Sequence, residues 1–237
     1  MIKIYGKNLI YEALISKAPI KNIFLTDVIA KKDKDVIRLI HENNLKYEIY
    51  SKEKMNNEFG SQNQGYGAIR EDYYTYDLSY LKELTTNSGR VLVLDGIQDP
   101  HNFGAILRSV DAFGYDLVIL PNNRSVKITG VVAHVSTGAI EHTKIMYVDS
   151  LLQVVKILKD RGYWICGTDA LGDKLTSEID KTLNLALIIG SEGFGMSKTL
   201  INQTDFLIKI PMVGHVNSLN ASVSAGIVLS ELMALKK

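Results

Sequence analysis

The sequence predicts an α/β fold in which a parallel sheet carries helices on both faces. Of its 237 residues, 46% are apolar and 22% are charged, a composition typical of globular proteins. From residue 91 onward, short and mostly continuous apolar runs recur, as expected of strands buried on both faces of a parallel sheet. Stretches of helical character separate these runs, which indicates βα units.

Residues 1–72 predict a small α/β domain that precedes this sheet. "GKNLIYEALISK" predicts a helix, because Leu9, Ala13 and Leu14 recur near helical spacing. "IKNIFLT" and "KYEIY" predict strands on either side of a helix, "KDVIRLIHENN". "GSQNQGYGAIR" is interpreted as a glycine-rich loop.

A connector and a larger domain follow. The stretch "EDYYTYDLSYLKELTTNSGR" has no apolar run longer than two residues, so we place a linker at 73–88 and the second domain at 89–237. Its predicted strands are "VLVLDGI", "LVIL", "IMYV", "YWICGT", "LALIIG" and "FLIKIP". Its predicted helices lie at 102–113, 129–138, 150–161, 197–203 and about 220–236.

The net charge of +1 conceals an uneven distribution along the chain. Residues 1–70 hold 12 Lys or Arg against 8 Asp or Glu, whereas residues 71–237 hold 15 against 18. The first third is therefore the better candidate for contact with a polyanion. A lysine-rich solvated surface is an equally good interpretation of this excess.

Composition also bears on location. No segment approaches the ~20 apolar residues that span a bilayer, so we expect no membrane contact, and the start of the chain has no signal-peptide pattern. Cys166 is the only cysteine, which excludes an internal disulfide and favours a reduced, cytoplasmic location.

Two classes of chemistry lack support. None of the five histidines pairs with another His or Cys at metal-ligand spacing, so we expect no metal. No G-x-S-x-G motif is present, and Cys166 lies in an apolar predicted strand, so a nucleophilic triad is not indicated.

Three strand ends carry unusual residues, and ligands bind at the carboxyl ends of strands in such sheets. In the first, "LDGIQDPHNFGAILRSVDAFG", Asp99 and Asn102 are candidate caps of a helix that buries Ile106, Leu107, Val110 and Phe113. Arg108 lies nearly opposite Ile106, and its side chain leans toward Asn102 across Gly104. A cation near a helix N-terminus would be stabilised by a bound anion such as phosphate. An exposed surface arginine is the equally good alternative.

The other two strand ends are "LIIGSEGFGMS" and "IPMVGHVNSLNASVSAG". The first of these has three glycines in six residues but matches neither a Walker loop nor the dinucleotide-binding fingerprint. Its Glu192 could cap backbone amides or contact a ligand, and a tight turn alone would also explain the glycines. In the second, Ser218 or Asn220 can begin the last helix.

Taken together and in this order, the three motifs resemble those of the SpoU (TrmH-like) family of RNA 2′-O-ribose methyltransferases. "YGKNLIYEAL" and "NQGYGAI" resemble the ribosomal-protein-like substrate-binding domain that precedes the catalytic domain in many members. Among subfamilies, the sequence is most similar to the one that methylates a guanosine ribose in the peptidyl-transferase region of 23S rRNA.

The resemblance implies a Rossmann-like catalytic domain with a C-terminal trefoil knot, S-adenosyl-L-methionine as methyl donor, and a homodimer. It implies RNA as the partner, with rRNA ahead of tRNA. It implies that the donor pocket is made largely of backbone, by Thr168, Gly190, Ile210 and Leu219.

The resemblance also implies the catalytic residues. Arg108 would hold the phosphate beside the target ribose and polarise the hydroxyl, because a guanidinium is not a plausible base. Asn102 would position Arg108 or the ribose, and Glu192 would order the site. Ser218 and Asn220 would shape the donor loop and support the hydroxyl.

Two other classes stay open. A non-catalytic RNA-binding member of the fold would be expected to lack Arg108. A nucleotide-binding α/β enzyme of another kind would need a phosphate loop near the first strand, where "DGIQDPHNFG" is poor in glycine.

Overall fold

A computed structural model describes residues 1–216 and 218–234, and the chain divides into two compact units. The N-terminal unit consists of residues 1–73 together with 127–142. The C-terminal unit consists of residues 74–126 and the chain from residue 143 onward. The segment 127–142, which the sequence assigns to the second domain, thus belongs by its contacts to the first unit.

The helices and strands alternate along most of the chain. In chain order they are β1 (Ile2–Tyr5), α1 (Lys7–Ile15), β2 (Ile20–Thr26), α2 (Asp27–Lys32), α3 (Lys34–Glu42), β3 (Tyr47–Tyr50), α4 (Lys52–Phe59), β4 (Tyr66–Arg70), β5 (Arg90–Asp95), α5 (Pro100–Ala112), β6 (Leu117–Pro121), α6 (Gly130–Val135), β7 (Ile145–Val148), α7 (Leu151–Asp160), β8 (Tyr163–Thr168), β9 (Lys174–Leu175), β10 (Asn184–Gly190), α8 (Lys198–Ile201), β11 (Phe206–Lys209) and α9 (Ala221–Glu231).

The N-terminal unit contains a four-stranded sheet in the order β1-β4-β2-β3, in which only β2 and β3 run parallel. The predicted elements α1, β2, α3 and β3 are confirmed. The loop interpretation of "GSQNQGYGAIR" is wrong for its second half, which forms the central strand β4. Gly67 serves packing here, because a Cβ at this position would lie 2.7 Å from Cε2 of the Phe59 ring.

Helix α6 packs against β1 within the N-terminal unit. The rings of Tyr5 and His134 stack with centroids 4.3 Å apart, and Nδ1 of His134 lies 3.0 Å from the carbonyl oxygen of Tyr5. A Cβ at Gly130 would overlap the carbonyl oxygen of Lys3, so the helix begins where only glycine fits. His134 is thus a helix residue whose ring packs on Tyr5.

The C-terminal unit contains a seven-stranded sheet in the order β7-β6-β5-β10-β8-β11-β9. Every pair of neighbours in it runs parallel. The chain builds outward from β5 to β7 and then crosses to the other side of β5, which is a doubly wound arrangement. The predicted α/β fold with a parallel sheet is confirmed, and the short strand β9 was not predicted.

Helices cover both faces of this sheet. On one face Val91 and Val93 pack in a buried cluster with Val154 and Leu158 of α7. On the other, α5 and α9 pack together and α9 contacts β10. Leu81, from a 3₁₀ helix in the predicted connector, is also fully buried in the first cluster.

Two helix boundaries differ from prediction. Helix α5 begins at Pro100 rather than 102, because the carboxylate of Asp99 caps it by accepting from the amide of His101 at 3.0 Å. Helix α9 ends at Glu231, and residues 235–236 of the predicted helix lie outside the described residues.

Candidate active site

The loops that follow β8, β10 and β11 surround a cavity at the carboxyl edge of the parallel sheet. Its volume is about 380 Å³, within the range of small-molecule sites. Strand β5 lies beside β10 with Asp95 opposite Gly190, so the first and second motifs reach the same edge. The lining residues are Thr168, Asp169, Ala170, Ile189, Gly190, Ser191, Glu192, Gly193, Phe194, Gly195, Ile208, Ile210, Met212, Ser218, Leu219, Ala221 and Ser224.

The glycines of the second motif allow its loop to fold back on β10. The amide of Ser191 donates to the Gly195 carbonyl at 3.1 Å, and the amide of Gly195 donates back at 2.9 Å. A Cβ at Gly190 would overlap the backbone of Gly195 and Met196. Gly193 and Gly195 have φ of 89° and 64°, which glycine adopts without strain. The turn is therefore tight, and its backbone is available to line the cavity.

Hydrogen bonds tie the cavity loops to one another. The hydroxyl of Thr168 donates to the carbonyl of Ile188 at 3.1 Å, and the amide of Asp169 donates to the carbonyl of Ile208 at 3.0 Å. At the other end of the glycine loop, the amide of Ser197 donates to the carboxylate of Asp95 at 2.8 Å. Strands β5, β8, β10 and β11 are thus joined at their carboxyl ends.

Asn220 is the N-cap of α9 and faces the second motif. Its Oδ1 accepts from the amide and the hydroxyl of Ser222, at 2.9 and 2.6 Å. While Oδ1 caps the helix, Nδ2 of the same side chain donates to Oε2 of Glu192 at 3.5 Å. The cap expectation is confirmed for Asn220, and the same side chain links the second and third motifs.

Six of the nine predicted site residues line one cavity. They include all four expected donor contacts, Thr168, Gly190, Ile210 and Leu219, together with Glu192 and Ser218. Asn220 lies at the rim through its contact with Glu192. The third motif also contains residue 217, which lies outside the described residues.

Asn102 and Arg108 lie on α5, outside the cavity lining. The cap prediction for Asn102 is wrong, because Asp99 is the N-cap and Asn102 lies within the first turn. Phe103 joins the buried stripe, and Phe113 is only partly buried at the helix end. Arg108 is exposed, and within the described chain its guanidinium forms no ion pair or hydrogen bond, with Asn102 or any other residue.

Asp95 and Asp169 were not singled out in the sequence. Each carboxylate stands at or just after the last residue of a strand, Asp95 in β5 and Asp169 after Thr168 of β8, which is the signal that could have found them. Asp169 lines the cavity, and its carboxylate accepts from the amide of Leu171 at 2.8 Å. Cys166 is buried, and burial raises the pKa of its thiol to about 12, which makes a thiolate nucleophile unfavourable.

In the described part of the chain, no cluster of three or more His, Cys, Asp or Glu is arranged to hold a metal ion. Nor does any helix within residues 1–216 and 218–234 have the length and apolar character needed to cross a membrane.

A family model described as "SpoU rRNA Methylase family" matches residues 89–230, more than half of the chain. The chain belongs to the SpoU rRNA methylase family. The resemblance of the three motifs is thereby confirmed, and this SpoU protein is an RNA methyltransferase by family. A second model, "RNA 2'-O ribose methyltransferase substrate binding", matches residues 3–73.

Relatives of similar length support the assignment of this SpoU chain. It is 41% identical over 235 residues to a Staphylococcus saprophyticus protein named for the TrmH family of tRNA/rRNA methyltransferases, covering 98% of this chain and 94% of that protein. A Staphylococcus aureus protein of the same name is 40% identical over 233 residues, with 97% and 94% covered.

Solved structures of methyltransferases share the fold of this SpoU chain. AviRb of Streptomyces viridochromogenes, a SpoU methyltransferase in complex with AdoMet, superposes with a TM-score of 0.82 at 22% identity, covering 98% of this chain and 88% of that one. An AdoMet-bound rRNA methyltransferase of Sinorhizobium meliloti gives a TM-score of 0.80 at 22% identity, covering 98% and 86%.

Proposed function

We propose that the protein transfers the methyl group of S-adenosyl-L-methionine to a ribose 2′-hydroxyl of structured RNA, with a guanosine of 23S rRNA as the first candidate. The observation that carries this proposal is the cavity in which residues from the second and third motifs meet Thr168. The match of residues 3–73 to a substrate-binding domain of 2′-O-ribose methyltransferases supports the ribose as target.

The residues of the cavity fit the methyl donor. Ile189, Ile208, Ile210 and Leu219 provide an apolar wall suited to an adenine ring, and the loop around Gly190 offers backbone amides and carbonyls. The carboxylates of Asp169 and Glu192 suit a ligand that carries positive charge. S-adenosyl-L-methionine supplies an activated methyl group on a sulfonium. Thr168, Gly190, Ile210 and Leu219 are the donor contacts in this proposal.

Arg108 is proposed to bind the phosphate beside the target ribose. Its guanidinium is exposed and has no partner among the described residues, so it is free to bind a phosphate through a bidentate contact. A guanidinium stays protonated in proteins. Arg108 therefore orients and polarises the hydroxyl, while the proton passes to that phosphate or to water as the oxygen–methyl bond forms. Asn102, nearly two turns earlier on α5, is proposed to position the ribose.

Glu192, Ser218 and Asn220 are proposed to order the mouth of the cavity. The amide of Asn220 faces Glu192 at 3.5 Å, and the helix cap fixes the orientation of that amide. Ser218 lines the cavity two residues before the cap and is exposed, so its hydroxyl can contact the substrate ribose. Orientation of two reactants is the main contribution that such a site can make.

The N-terminal unit is proposed to bind the RNA. Several exposed lysines in this unit form no ion pair with the described residues, so their positive charge is available to RNA phosphates. These lysines are Lys17, Lys32, Lys34, Lys46 and Lys52. The near-neutral net charge means that RNA shape, rather than general electrostatics, supplies much of the selectivity.

A homodimer is proposed in which a second copy covers apolar side chains around the cavity. Phe194 and Leu171 are 94% and 90% exposed, and Val213, Val216 and Val223 are also exposed. Such a concentration of exposed apolar groups is typical of an interaction surface.

We also retain the trefoil knot as a proposal, supported by the position of β11 between β8 and β9. A cytoplasmic location follows from the proposed substrate.

Two alternatives remain. A tRNA ribose methyltransferase is a second candidate, because the relatives' name covers both tRNA and rRNA. A non-catalytic RNA-binding protein is disfavoured by the presence of Asn102, Arg108, Glu192, Ser218 and Asn220 together.

Labelled methyl transfer tests the proposal. Purified protein should methylate an unmodified 23S rRNA transcript, and the product should resist alkaline cleavage at a single nucleotide. Arg108→Ala should lower the rate at least about 100-fold while S-adenosyl-L-methionine binds nearly as before. Transfer to a base rather than a ribose would overturn the proposal, and preference for tRNA transcripts would select the alternative.

A further inference from the structure

The loop between β6 and α6, at residues 122–126, is held at the carboxyl edge of the parallel sheet. The amide of Asn122 donates to the Val148 carbonyl at 2.7 Å, and its Nδ2 donates to Asp149 at 2.6 Å. The amide of Val126 donates to the carbonyl of Ile97 at 2.8 Å. The loop is thus joined to the end of β7 on one side and to the first motif on the other.

Arg124 stands at the centre of this loop in a left-handed conformation, with φ of 55°. This conformation is unfavourable for a residue with a Cβ, and glycine or asparagine would adopt it more readily. Its side chain is exposed and, within the described residues, forms no hydrogen bond or ion pair. The neighbours of Arg124 fix its backbone, and its charge has no partner among the described residues, so the guanidinium is available to a ligand.

The four arginines of the C-terminal unit fall into two kinds. Arg90 donates to several main-chain carbonyls, and Arg161 donates to the carbonyl of Leu84. Arg108 and Arg124 have no partner in the described chain. Arg124 lies directly after β6, at the carboxyl edge of the sheet, and Arg108 lies on α5, the helix that follows the neighbouring strand β5.

We propose that Arg124 binds a phosphate of the RNA backbone other than the one held by Arg108. This inference rests on the proposed function, because it assumes an RNA substrate. Arg124 does not line the donor cavity, so its ligand is not the methyl donor. The planar fork of a guanidinium suits phosphate, and the fixed loop presents it without loss of backbone freedom on binding. The RNA strand would then pass the carboxyl end of β6.

The test compares Arg124→Gly with Lys156→Gln in the full-length protein. Glycine removes the charge and suits the left-handed conformation, so the variant should fold with an unchanged or higher Tm. Lys156 is exposed on α7 and has no partner in the described chain, so Lys156→Gln removes one charge of the same unit elsewhere. Arg124→Lys keeps the charge without the fork.

With a 23S rRNA transcript and saturating donor, Arg124→Gly should raise the KM for RNA about tenfold and change kcat less than about twofold. The slope of log Kd for RNA against log salt should fall by about one. Arg124→Lys should show a smaller loss, Lys156→Gln should match the wild type, and donor affinity should be unchanged in all of them.

The outcomes separate the two proposals. If the wild type methylates RNA but Arg124→Gly has the KM and salt slope of Lys156→Gln, the role of Arg124 is overturned and the proposed function stands. If the wild type neither binds nor methylates 23S rRNA or tRNA transcripts, both proposals fall. A lower donor affinity in Arg124→Gly would also overturn the assignment, because it would place the residue in the donor site.

Discussion

Arg70 and Glu141 form a buried ion pair although 71 positions separate them in the chain. Their side chains are 5% and 4% exposed. Tyr73 completes the group, because its hydroxyl donates to Glu141 at 2.8 Å and its ring lies 3.6 Å from the Arg70 guanidinium carbon. The pair joins β4 to the segment 127–142 within the N-terminal unit, which makes that segment part of the unit's stability.

Arg70→Met should lower the free energy of unfolding by about 3–5 kcal/mol, because it leaves the Glu141 carboxylate buried without its cation. Urea denaturation would measure this. The double variant Arg70→Met, Glu141→Leu should recover much of the loss. Arg38→Met, which removes an exposed pair with Glu42, is the control and should cost less than about 1 kcal/mol. Equal losses of unfolding free energy in Arg70→Met and Arg38→Met would contradict a special role for the buried pair.

The carboxylate of Asp33 makes the N-terminal unit sensitive to acid. Burial opposes its ionisation, but hydrogen bonds from the hydroxyls of Tyr11 and Tyr66, at 2.5 Å each, and the amide of Val36 hold its pKa at about 2. Because the folded pKa is below the unfolded value of about 3.9, the stabilisation is fully present above about pH 4 to 5. It is lost as the pH falls toward about 2.

Thermal unfolding between about pH 2 and pH 7 tests this dependence. Asp33→Asn should lower the Tm at neutral pH but show a shallower fall below about pH 4 than the wild type, because the linked proton uptake is gone. Asp27→Asn removes an exposed carboxylate that pairs only with Lys31 among the described residues and should follow the wild-type profile. Parallel acid profiles for the wild type and Asp33→Asn would exclude Asp33 as the source.

Arg90 fastens the end of α9 to the start of β5. It is 1% exposed, and its guanidinium donates to the carbonyls of Leu232 at 2.6 Å, Leu183 at 2.7 Å and Lys181 at 2.6 Å. Arg90→Lys should lower the free energy of unfolding by at least about 2 kcal/mol, since one ammonium cannot reach these carbonyls together. Lys156→Arg, an exposed change between the same two residue types, should be neutral by urea denaturation. A Lys variant as stable as the wild type would show that the fork is dispensable.

Local signals carried the sequence predictions that are confirmed. The apolar spacing of α1 and the continuous runs of β5 and β10 depend on burial alone, which residue type reveals. Strand β4 was missed because glycines such as Gly65 and Gly67 are typical of loops. The structure shows why Gly67 is a glycine within a strand: the ring of Phe59 leaves no room for a Cβ there. The attachment of 127–142 depends on partners more than sixty positions earlier, such as Tyr5 and Arg70, which no local pattern can reveal.

The candidate site also combines features that local sequence reveals with contacts that only the fold creates. Its motif residues could be named from the sequence because each motif is contiguous. The bond from Ser197 to Asp95 and the approach of Asn220 to Glu192 arise only when distant strand ends meet, so they needed the structure. Arg124 was overlooked because an exposed arginine in a loop has no sequence signature, and the bonds that hold its loop to Val148 and Ile97 appear only in the structure.

Gly190 should be the residue of the second motif least tolerant of a methyl group. A Cβ there would overlap the backbone of Gly195 and Met196, which cannot move without opening the turn that lines the cavity. Gly190→Ala should therefore weaken S-adenosyl-L-methionine binding at least about tenfold by calorimetry and abolish most methyl transfer. Gly214→Ala is the matched control, because a Cβ added at Gly214 would meet no atom of the described residues within 4 Å beyond its chain neighbours, and its φ is not positive. It should bind the donor normally, so equal donor affinity in both variants would show that the turn does not shape the donor site.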